Sequence, residues 1–288
     1  MKTLVVVHVY YPQLWPELAA CVRNIDGARD LVVTYGDEAA IAEARRDFPE
    51  ARFVRCENKG YDVWPFLKVL QDLNLSAYDL VVKLHTKRNI DQDLVMNHAW
   101  FADARWRELL LSFVRTPANW RRTLRTLAEP GVGMVADRHL VFDRDITGPK
   151  FTATFDRAKA EIERLSGRVI EDGFYVAGTM FAARAEALAP LCLRRHAAED
   201  FEAYGGHERE TYAHVMERMF GLSVSAAGLR IAAFNGSVEG RKWFYSQTMM
   251  SKFLRFFYCK KLRNWRYSVR IFGIPVWTRQ IRRINKLP

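Results

Sequence analysis

The sequence predicts an α/β protein built on a mostly parallel, doubly wound sheet with helices packed against it. Over its first part, short apolar runs alternate with amphipathic segments of about ten residues. The apolar run Leu80–Val82 gives way abruptly to charged residues that begin at Lys83, which is typical of the carboxyl end of a central parallel strand. With 288 residues and 49% apolar content, the chain is long enough to bury a large core.

Periodicity defines the elements of the first part. Continuous apolar runs predict buried strands, and apolar residues at helical spacing predict helices. In chain order these are strand Thr3–Val9, helix Glu17–Asn24, strand Leu31–Thr34, helix Glu38–Phe48, strand Arg52–Arg55, helix Val63–Leu73 and strand Leu80–Leu84.

The remainder of the body is less regular. Aromatic and leucine faces predict helices, and apolar runs beside turn signals predict strands. The predicted helices are Trp100–Val114, Trp120–Leu127, Phe151–Leu165, Ala185–Leu191 and Glu208–Phe220, and the predicted strands are Val132–Ala136, Phe174–Ala183 and Leu229–Phe234.

Charge divides the chain into a body and a tail. The net charge is +11, yet Arg241–Pro288 holds thirteen Lys and Arg and no acid, which leaves 31 cations and 33 acids before it. We therefore expect a domain over 1–240 and a basic, helical segment over 241–288. Its interleaved aromatic residues favour an anionic membrane surface as partner. Packing on the body and binding of single-stranded nucleic acid are the alternatives, and the near-neutral body argues against nucleic acid.

Targeting signals are missing from the sequence. It begins without a recognisable signal peptide, holds no apolar run of membrane-spanning length, and has four widely separated cysteines. We expect a cytoplasmic protein that is peripheral on the inner face of the plasma membrane.

A row of cations begins inside the predicted strand Leu80–Leu84 and continues beyond it. Lys83, His85 and Lys87 share one strand parity, and Arg88 comes next. Like charges on one face repel unless an anion or solvent lies among them, so we expect an anionic ligand such as a nucleotide diphosphate. A solvated strand end is the simpler alternative. No Asp-x-Asp stands at this strand end, so fixed charge, not a metal, is expected to neutralise the ligand.

Three further segments carry candidate site residues. Asn58, Gly60 and Asp62 follow the third strand and suit a base or ribose, although an ordinary turn with Asp62 as helix cap is the alternative. Gly178 lies inside a predicted strand, where glycine marks a bulge or a close ligand approach. The acids at 208 and 210 begin a predicted helix, where they either cap it or act as a general base.

These segments resemble a known family. The blocks NKGYDVWPFL at 58–67, YDLVVKLHTKR at 78–88, WR at 106–107, VAGTMFAARAEALAPL at 176–191 and ETYAHVMERMFG at 210–221 resemble the rhamnan synthesis protein F family. The resemblance implies a GT-A-like, Rossmann-type fold that binds a nucleotide sugar. It also implies transfer of rhamnose or a related sugar, commonly from a dTDP-activated donor, onto a lipid-linked glycan of surface polysaccharide or lipopolysaccharide. The closing phrase from Tyr267 resembles the tails of other lipopolysaccharide glycosyltransferases.

We expect the following roles for these residues. Asn58, Gly60 and Asp62 are expected at the base and ribose. The cations of the row are expected at the diphosphate, with His85 also catalytic, and the set is Lys83, His85, Lys87 and Arg88. Gly178 and Thr179 would line the sugar or acceptor pocket. Glu208 or Glu210 would take the acceptor proton in an inverting transfer, although a retaining mechanism stays open.

The expected protein is therefore an inverting, metal-independent glycosyltransferase that needs no cofactor beyond its donor substrate. Its expected partners are a nucleotide-sugar donor, a lipid-linked glycan acceptor and the anionic inner membrane. Two other functions remain open: a glycan- or lipid-binding module without turnover, and a nucleic-acid-binding protein acting through the tail. If the site is correct, alanine at Lys83 or His85 abolishes transfer and leaves the fold intact.

Overall fold

A computed structural model describes residues 1–87, 94–96, 99–101, 105–144, 149–202, 211–238, 257–263, 266–272 and 274–280. The chain divides into two compact units, one formed by Met1–Lys87 with Leu109–Val238 and the other by Arg88–Glu108 with Glu239–Pro288. The sequence places a boundary at residue 240 and gives no sign that Arg88–Glu108 belongs with the second unit.

The described strands and helices have the following bounds. The strands are β1 Lys2–Val9, β2 Ala28–Tyr35, β3 Arg52–Arg55, β4 Leu80–His85, β5 Leu94–Met96, β6 Ala99–Phe101, β7 Val132–Ala136, β8 Val141–Phe142, β9 Tyr175–Val176, β10 Phe181–Arg184, β11 Arg230–Ala233, β12 Tyr258–Arg263, β13 Arg266–Ile271 and β14 Ile274–Gln280. The α-helices are α1 Trp15–Arg23, α2 Ala42–Asp47, α3 Val63–Asp72, α4 Arg105–Leu111, α5 Pro117–Leu127, α6 Pro149–Ser166 and α7 Tyr212–Ala226. Short 3₁₀ segments lie at Pro12–Leu14, Glu38–Ile41, Leu75–Ala77, Arg138–Leu140, Ala185–Leu193 and Ala198–Asp200.

Seven strands form the main sheet of the first unit, in the order β11-β7-β10-β4-β1-β2-β3. All neighbours run parallel except β10, which is antiparallel to both β4 and β7. Every residue of β4 is buried, including Lys83 and His85, whereas the sequence predicts burial only for the apolar run Leu80–Val82. The mostly parallel sheet flanked by helices is therefore confirmed.

Helices α3 and α7 cover the sheet beside β4 and β10. The ring of Phe66 in α3 meets those of Phe181 in β10 and Phe220 in α7 edge-on, with centroids 6.0 and 5.4 Å apart. All three phenylalanines are at most 1% exposed. Such aromatic contacts fix the position of both helices over the strands.

The predicted strand Phe174–Ala183 is two strands instead of one. It breaks at Gly178 and Thr179, whose φ angles are +79° and +56°. The first half, β9, pairs with β8 outside the main sheet, and the second half, β10, enters the sheet. Because β10 runs antiparallel to β4, the residues that precede β10 lie at the edge where β4 ends.

The predicted helix Trp100–Val114 is correct only in part. Its first residues lie in β6, which pairs with β5 in an antiparallel hairpin, and the helix itself is Arg105–Leu111. The aromatic residues at 100 and 101 are compatible with a strand as well as with a helix, and pairing with β5 favours the strand. The predicted start of α7 at Glu208 lies outside the described residues.

The tail was expected to be helical, and over Tyr258–Gln280 this is wrong. Strands β12, β13 and β14 form an antiparallel sheet of their own. Tyrosine, valine, isoleucine and tryptophan favour strands, and Gly273 and Pro275 interrupt any helix here. No described helix is long and apolar enough to cross a bilayer.

Candidate functional site

A buried ion pair lies at the carboxyl end of β4. The Lys83 ammonium is 2.5 Å from Asp62 Oδ2 and donates to Thr179 Oγ1 at 2.9 Å. It also lies over the rings of Phe66 and Phe220, 5.3 and 5.7 Å from their centroids. Burial lowers the pKa of Lys83, and the Asp62 carboxylate opposes that shift. We call Asp62, Lys83, His85 and Thr179 the Asp62 cluster.

This position of Lys83 differs from the expectation. The residue is 1% exposed, and its ammonium is bonded to protein groups, so it does not face solvent at the sheet edge. The prediction that it shares one face of the strand with His85 is correct. That face, however, is covered by helices α3 and α7.

His85 joins the same cluster as a neutral imidazole. Its Nε2 lies 2.9 Å from the carbonyl oxygen of Gly178 and 3.5 Å from Asp62 Oδ2. A carbonyl only accepts, so Nε2 is the protonated nitrogen and donates to Gly178. Burial lowers the pKa of His85 to about 3 despite the attraction of Asp62. At neutral pH the uncharged imidazole therefore holds the turn formed by Gly178 and Thr179, which we call the 178 turn.

The two oxygens of Asp62 have different surroundings. Oδ2 accepts from Lys83 and from the Thr179 hydroxyl, each at 2.5 Å. Within the part of the chain that the structure describes, Oδ1 has no hydrogen-bond partner, and the side chain is 13% exposed. Burial alone would raise the pKa of Asp62, but His85, once it is protonated at low pH, and the Lys83 ammonium hold this pKa well below its usual range. Asp62 is thus an ionised carboxylate that uses one oxygen for both of its described side-chain bonds.

Asp62 occupies the cap position of helix α3 without capping it. Its backbone stands at the N-cap, yet its side chain makes no hydrogen bond to the first turn. The alternative interpretation of Asp62 as an ordinary helix cap is therefore wrong in this structure. The carboxylate instead connects α3 to β4 and to the turn before β10.

Two turns with left-handed backbone converge on the cluster. Gly60 and Tyr61 have φ of +59° and +54°, and Gly178 and Thr179 have +79° and +56°. This conformation is costly for a β-branched residue such as threonine, and its hydroxyl bonds to the cluster hold it there. A Cβ on Gly60 would lie 2.5 Å from Phe201 Cδ1, so the first turn also requires glycine.

Helix α7 supports the 178 turn from its other side. Glu217 accepts the Gly178 N–H at 2.7 Å and pairs with Arg218 at 2.6 Å. His214 lies one turn earlier, 6.3 Å from the Tyr61 ring between centroids. Sequence reasoning did not select His214, although its spacing of three from Glu217 places both on one helix face.

His8 is a second residue that sequence reasoning missed. It pairs in register with His85 across β1 and β4, and its Nδ1 lies 3.0 Å from Thr34 Oγ1. Burial lowers the pKa of His8 to about 4, so it too is neutral at physiological pH. Its position near the end of the first apolar strand could have identified His8 as a candidate site residue from the sequence.

The other predicted residues are only partly placed. Lys87 is half-buried two residues beyond β4, and Asn58 is exposed on the loop before Gly60. Arg88, Glu208 and Glu210 lie outside the described residues. Among the residues that are described, no group of three or more His, Cys, Asp or Glu side chains is arranged to hold a metal ion. The ligand roles of all these residues stay predictions.

Comparison with known proteins identifies the family. The model of rhamnan synthesis protein F matches residues 1–229, and the chain belongs to that family. Two proteins from strains of Xanthomonas campestris pv. campestris, both described as uncharacterized protein WxcX, are 28% and 27% identical over 238 residues. The match covers 79% of this chain and 32% of each relative, so the chain spans about a third of their length.

Solved structures give only distant likenesses. A CMP:2-keto-3-deoxy-manno-octonic acid synthetase complexed with CTP is 13% identical, with a TM-score of 0.35 over 88% of this chain and 99% of that one. Glucosyl-3-phosphoglycerate synthase from Mycobacterium tuberculosis, in complex with Mn²⁺ and UDP, is 13% identical, with a TM-score of 0.36 over 97% and 89%. Scores this low carry no argument about this chain, and the fold rests on its own sheet topology.

Proposed function

We propose that this chain is a glycosyltransferase that uses a nucleotide-sugar donor. Membership of the rhamnan synthesis protein F family supports this. The observation that carries it is the meeting of Asp62, Lys83 and Thr179, from three separate sequence blocks, at the carboxyl edge of a mostly parallel sheet. Open α/β sheets bind their ligands at that edge.

The Asp62 cluster suggests how the donor is held. Asp62 Oδ1 accepts a hydrogen bond from a hydroxyl of the ribose or the transferred sugar, beside Asn58 and Gly60. Lys87 and Arg88 neutralise the diphosphate and stabilise the leaving group as charge develops on it, in place of a metal ion. Lys83 and His85 do not touch the donor themselves. Lys83 orients Asp62, and His85 fixes the carbonyl of Gly178.

The family supports a more specific reaction. The transferred sugar is rhamnose or a related sugar from a dTDP-linked donor, and the acceptor is a lipid-linked glycan of the cell surface. Transfer is inverting and metal-independent, with Glu208 or Glu210 as the predicted proton acceptor. Gly178 and Thr179 border the pocket for the sugar or acceptor.

Nucleotide binding is the first test. The purified chain is screened by thermal shift against dTDP, UDP, GDP and CDP, each with Mg²⁺, Mn²⁺ or EDTA, because a ligand of the folded state raises its apparent stability. We expect the largest shift with dTDP and no effect of EDTA. A shift that appears only with metal overturns metal independence, and no shift with any nucleotide overturns the proposed function.

Turnover separates an enzyme from a binding module. Transfer from a dTDP-sugar to a lipid-linked acceptor is followed by mass spectrometry, with Asp62→Asn as the site variant. We expect the wild-type protein to transfer sugar, and we expect Asp62→Asn to lose donor affinity. Glycan binding without transfer or donor hydrolysis would favour the non-catalytic module.

We further propose that the β12–β14 sheet binds an anionic membrane surface. Several apolar side chains on it are 40–65% exposed, namely Ile271, Phe272, Ile274, Val276 and Trp277. Arginines at 266, 270 and 279 share these strands, and the whole segment from 241 has no acid. Apolar rings that can insert into the bilayer interface, together with basic residues, favour binding to a membrane containing anionic lipid.

Vesicle sedimentation of the full chain tests this surface. We expect binding to vesicles with anionic lipid and weak binding to neutral ones, with a large loss in Ile274→Ser/Trp277→Ser. Val169→Ser is the matched control, because Val169 is 84% exposed but lies in the first unit. Equal binding by the double variant contradicts the proposal, and tight salt-sensitive binding of single-stranded nucleic acid would favour the nucleic-acid alternative.

A further inference from the structure

Helix α7 begins with a threonine whose hydroxyl does not cap the helix. Thr211 occupies the N-cap position, where a hydroxyl ordinarily accepts a backbone N–H of the first turn, yet its side chain makes no such bond. Its Oγ1 instead lies 2.7 Å from Nδ1 of His214. The carboxylate of Glu202 accepts the N–H of Tyr212, at 2.9 and 3.0 Å. The buried hydroxyl of Thr211 is therefore used to hold an imidazole ring.

The other ring nitrogen of His214 is Nε2, and it has no hydrogen-bond partner within the part of the chain that the structure describes. The residue itself is half-buried. The Thr211 hydroxyl can accept from Nδ1–H, which leaves the lone pair on Nε2. The same bond persists when the ring is protonated, because both nitrogens then carry a proton. A histidine that a second group orients in this way has the arrangement of a general base.

His214 borders the turn that carries Asp62. Its ring meets that of Tyr61, the residue before Asp62, with centroids 6.3 Å apart and planes at 68°. Glu217 lies on the same face of α7, one turn later, and accepts the N–H of Gly178 at 2.7 Å. This face of the helix therefore contacts both turns that converge on the Asp62 cluster, and His214 stands at the Asp62 side.

Electrostatic effects also connect His214 with the Asp62 cluster. Burial is the largest influence on His214 and lowers its pKa below the ordinary value. Glu217 and Glu202 oppose this shift. Arg218 and Lys87 add to it. The charge of Lys87 acts in addition on the ionisable members of the Asp62 cluster, where burial is again the largest influence. Charge interactions weaken with distance, so Lys87 lies near both groups, and His214 is uncharged at neutral pH.

We propose that His214, oriented by Thr211, is the general base that deprotonates the acceptor hydroxyl in an inverting transfer; this rests on the proposed glycosyltransferase function. The acceptor oxygen forms a bond to the anomeric carbon of the donor while its O–H bond breaks and the proton moves to Nε2. The bond from the anomeric carbon to the diphosphate oxygen breaks, and its electron pair leaves with the nucleotide. The step is redox-neutral, and His214 returns its proton to solvent.

Other groups near the cluster are less well arranged for this role. His85 donates to the 178 turn from its Nε2, and both oxygens of Glu217 accept bonds from protein groups. Glu208 and Glu210 stand outside the described residues, so their geometry supports nothing further. Thr211 does not touch substrate in this scheme and is a positioning residue.

The test compares the full chain of the wild type with His214→Gln, Thr211→Val, Thr211→Ser and the double variant Glu208→Gln/Glu210→Gln. Donor Kd, transfer kcat and the pH dependence of kcat/KM are measured. We expect His214→Gln to lower kcat by about 10²- to 10⁴-fold, with donor Kd unchanged within about threefold. The acid limb of the wild-type pH profile, which lies below the ordinary pKa of histidine, disappears in this variant.

The two threonine variants form a matched pair. Thr211→Val removes the hydroxyl that orients the ring and should lower kcat, whereas Thr211→Ser keeps the hydroxyl and should retain the wild-type kcat. Because the hydroxyl makes no cap bond, neither change removes a cap of α7. Urea unfolding of each variant identifies any loss that comes from misfolding, and if His214→Gln does not fold, the threonine pair decides the outcome.

Opposite results overturn the assignment. His214 is not the base if His214→Gln transfers sugar at close to the wild-type rate, keeps the acid limb, or loses donor affinity instead of kcat. Loss of transfer in the glutamate variant alone has the same meaning, as do equal rates in the two threonine variants or a product that retains the anomeric configuration. These results leave the proposed function intact, whereas a wild-type protein that neither binds a nucleotide nor transfers sugar overturns both.

Discussion

Lys83 and Asp62 form an ion pair 2.5 Å long between the middle strand of the sheet and the first turn of helix α3. Their side chains are 2% and 13% exposed. A pair this well buried contributes little net stability compared with an apolar pair of the same shape. Removal of either partner, however, leaves the other charge buried and unpaired, which is strongly destabilising. Its main effect is to fix where α3 begins relative to β4.

Replacement of Lys83 by methionine is expected to destabilise the protein, contrary to the sequence-based expectation that the fold survives loss of Lys83. The variant leaves Asp62 buried without its cation, at a cost of about 3–5 kcal/mol in the free energy of unfolding. Urea denaturation measures it. The double variant Lys83→Met/Asp62→Asn should recover part of the loss, and strictly additive losses would mean that the two residues do not interact.

Thr179 should respond more to loss of its hydroxyl than to loss of its methyl. Thr179→Val removes the bonds to Asp62 and Lys83, which costs about 1–3 kcal/mol. Thr179→Ser keeps those bonds and relieves β-branching at a positive φ, so it should be close to neutral. The two variants are compared by urea denaturation and by donor Kd. Equal destabilisation in both would show that the hydroxyl bonds do not hold the turn.

Gly60→Ala should be costly for two separable reasons. A left-handed φ costs an alanine about 1–2 kcal/mol. The new Cβ also overlaps the buried Phe201 ring, which adds about 1–3 kcal/mol. Gly167→Ala is the matched control, because Gly167 has φ of +68° and no atom within 4 Å of a built Cβ. Thermal or urea unfolding should show a larger loss at 60 than at 167, and similar losses would mean that Phe201 moves aside freely.

Stability should fall as the pH drops below neutrality, in part because of His85. Its pKa is lowered from 6.5 in the unfolded chain to about 3 in the folded protein. Between these values the unfolded state takes up a proton that the folded state refuses, so stability is present above the window and lost as the pH falls through it. The slope from this one group is about 1.4 kcal/mol per pH unit.

His85→Gln isolates that contribution. Glutamine retains a donor for the carbonyl of Gly178 but does not titrate. The free energy of unfolding is measured at several pH values between 6.5 and 4, a range in which His8 also contributes. We expect the free energy of unfolding of the variant to change with pH less steeply than that of the wild type, by up to about 1.4 kcal/mol per pH unit. An unchanged pH dependence would show that His85 is not the titrating group.

The main sheet was predictable because its signals are local. The apolar runs of β1 and β4 and the helical spacing of α3 lie within single segments, and the structure confirms them. The break at Gly178 was marked by the glycine, but the sequence did not show that β10 would enter the sheet antiparallel. That direction depends on pairing with β4 and β7, which lie far away in the chain.

The sequence grouped several members of the Asp62 cluster correctly but did not reveal their contacts. Strand parity correctly grouped Lys83 with His85, but parity does not reveal whether a face meets solvent or is covered. Phe66 and Phe220 come from distant helices, and their packing turns an expected surface cation into an interior one. The basic tail shows the same limit, since its composition was interpreted as helical and the structure instead has paired strands there.

The Asp62 cluster draws its members from across the chain. Thr179 lies 117 residues after Asp62, and Lys83 lies 21 residues after it. A nascent polypeptide that has emerged only as far as α6 already has the cation and the carboxylate, but lacks the hydroxyl that completes their geometry. The cluster is therefore complete only when synthesis has passed β10 and this strand has paired with β4, so its three-way contact reports a late step in assembly of the sheet.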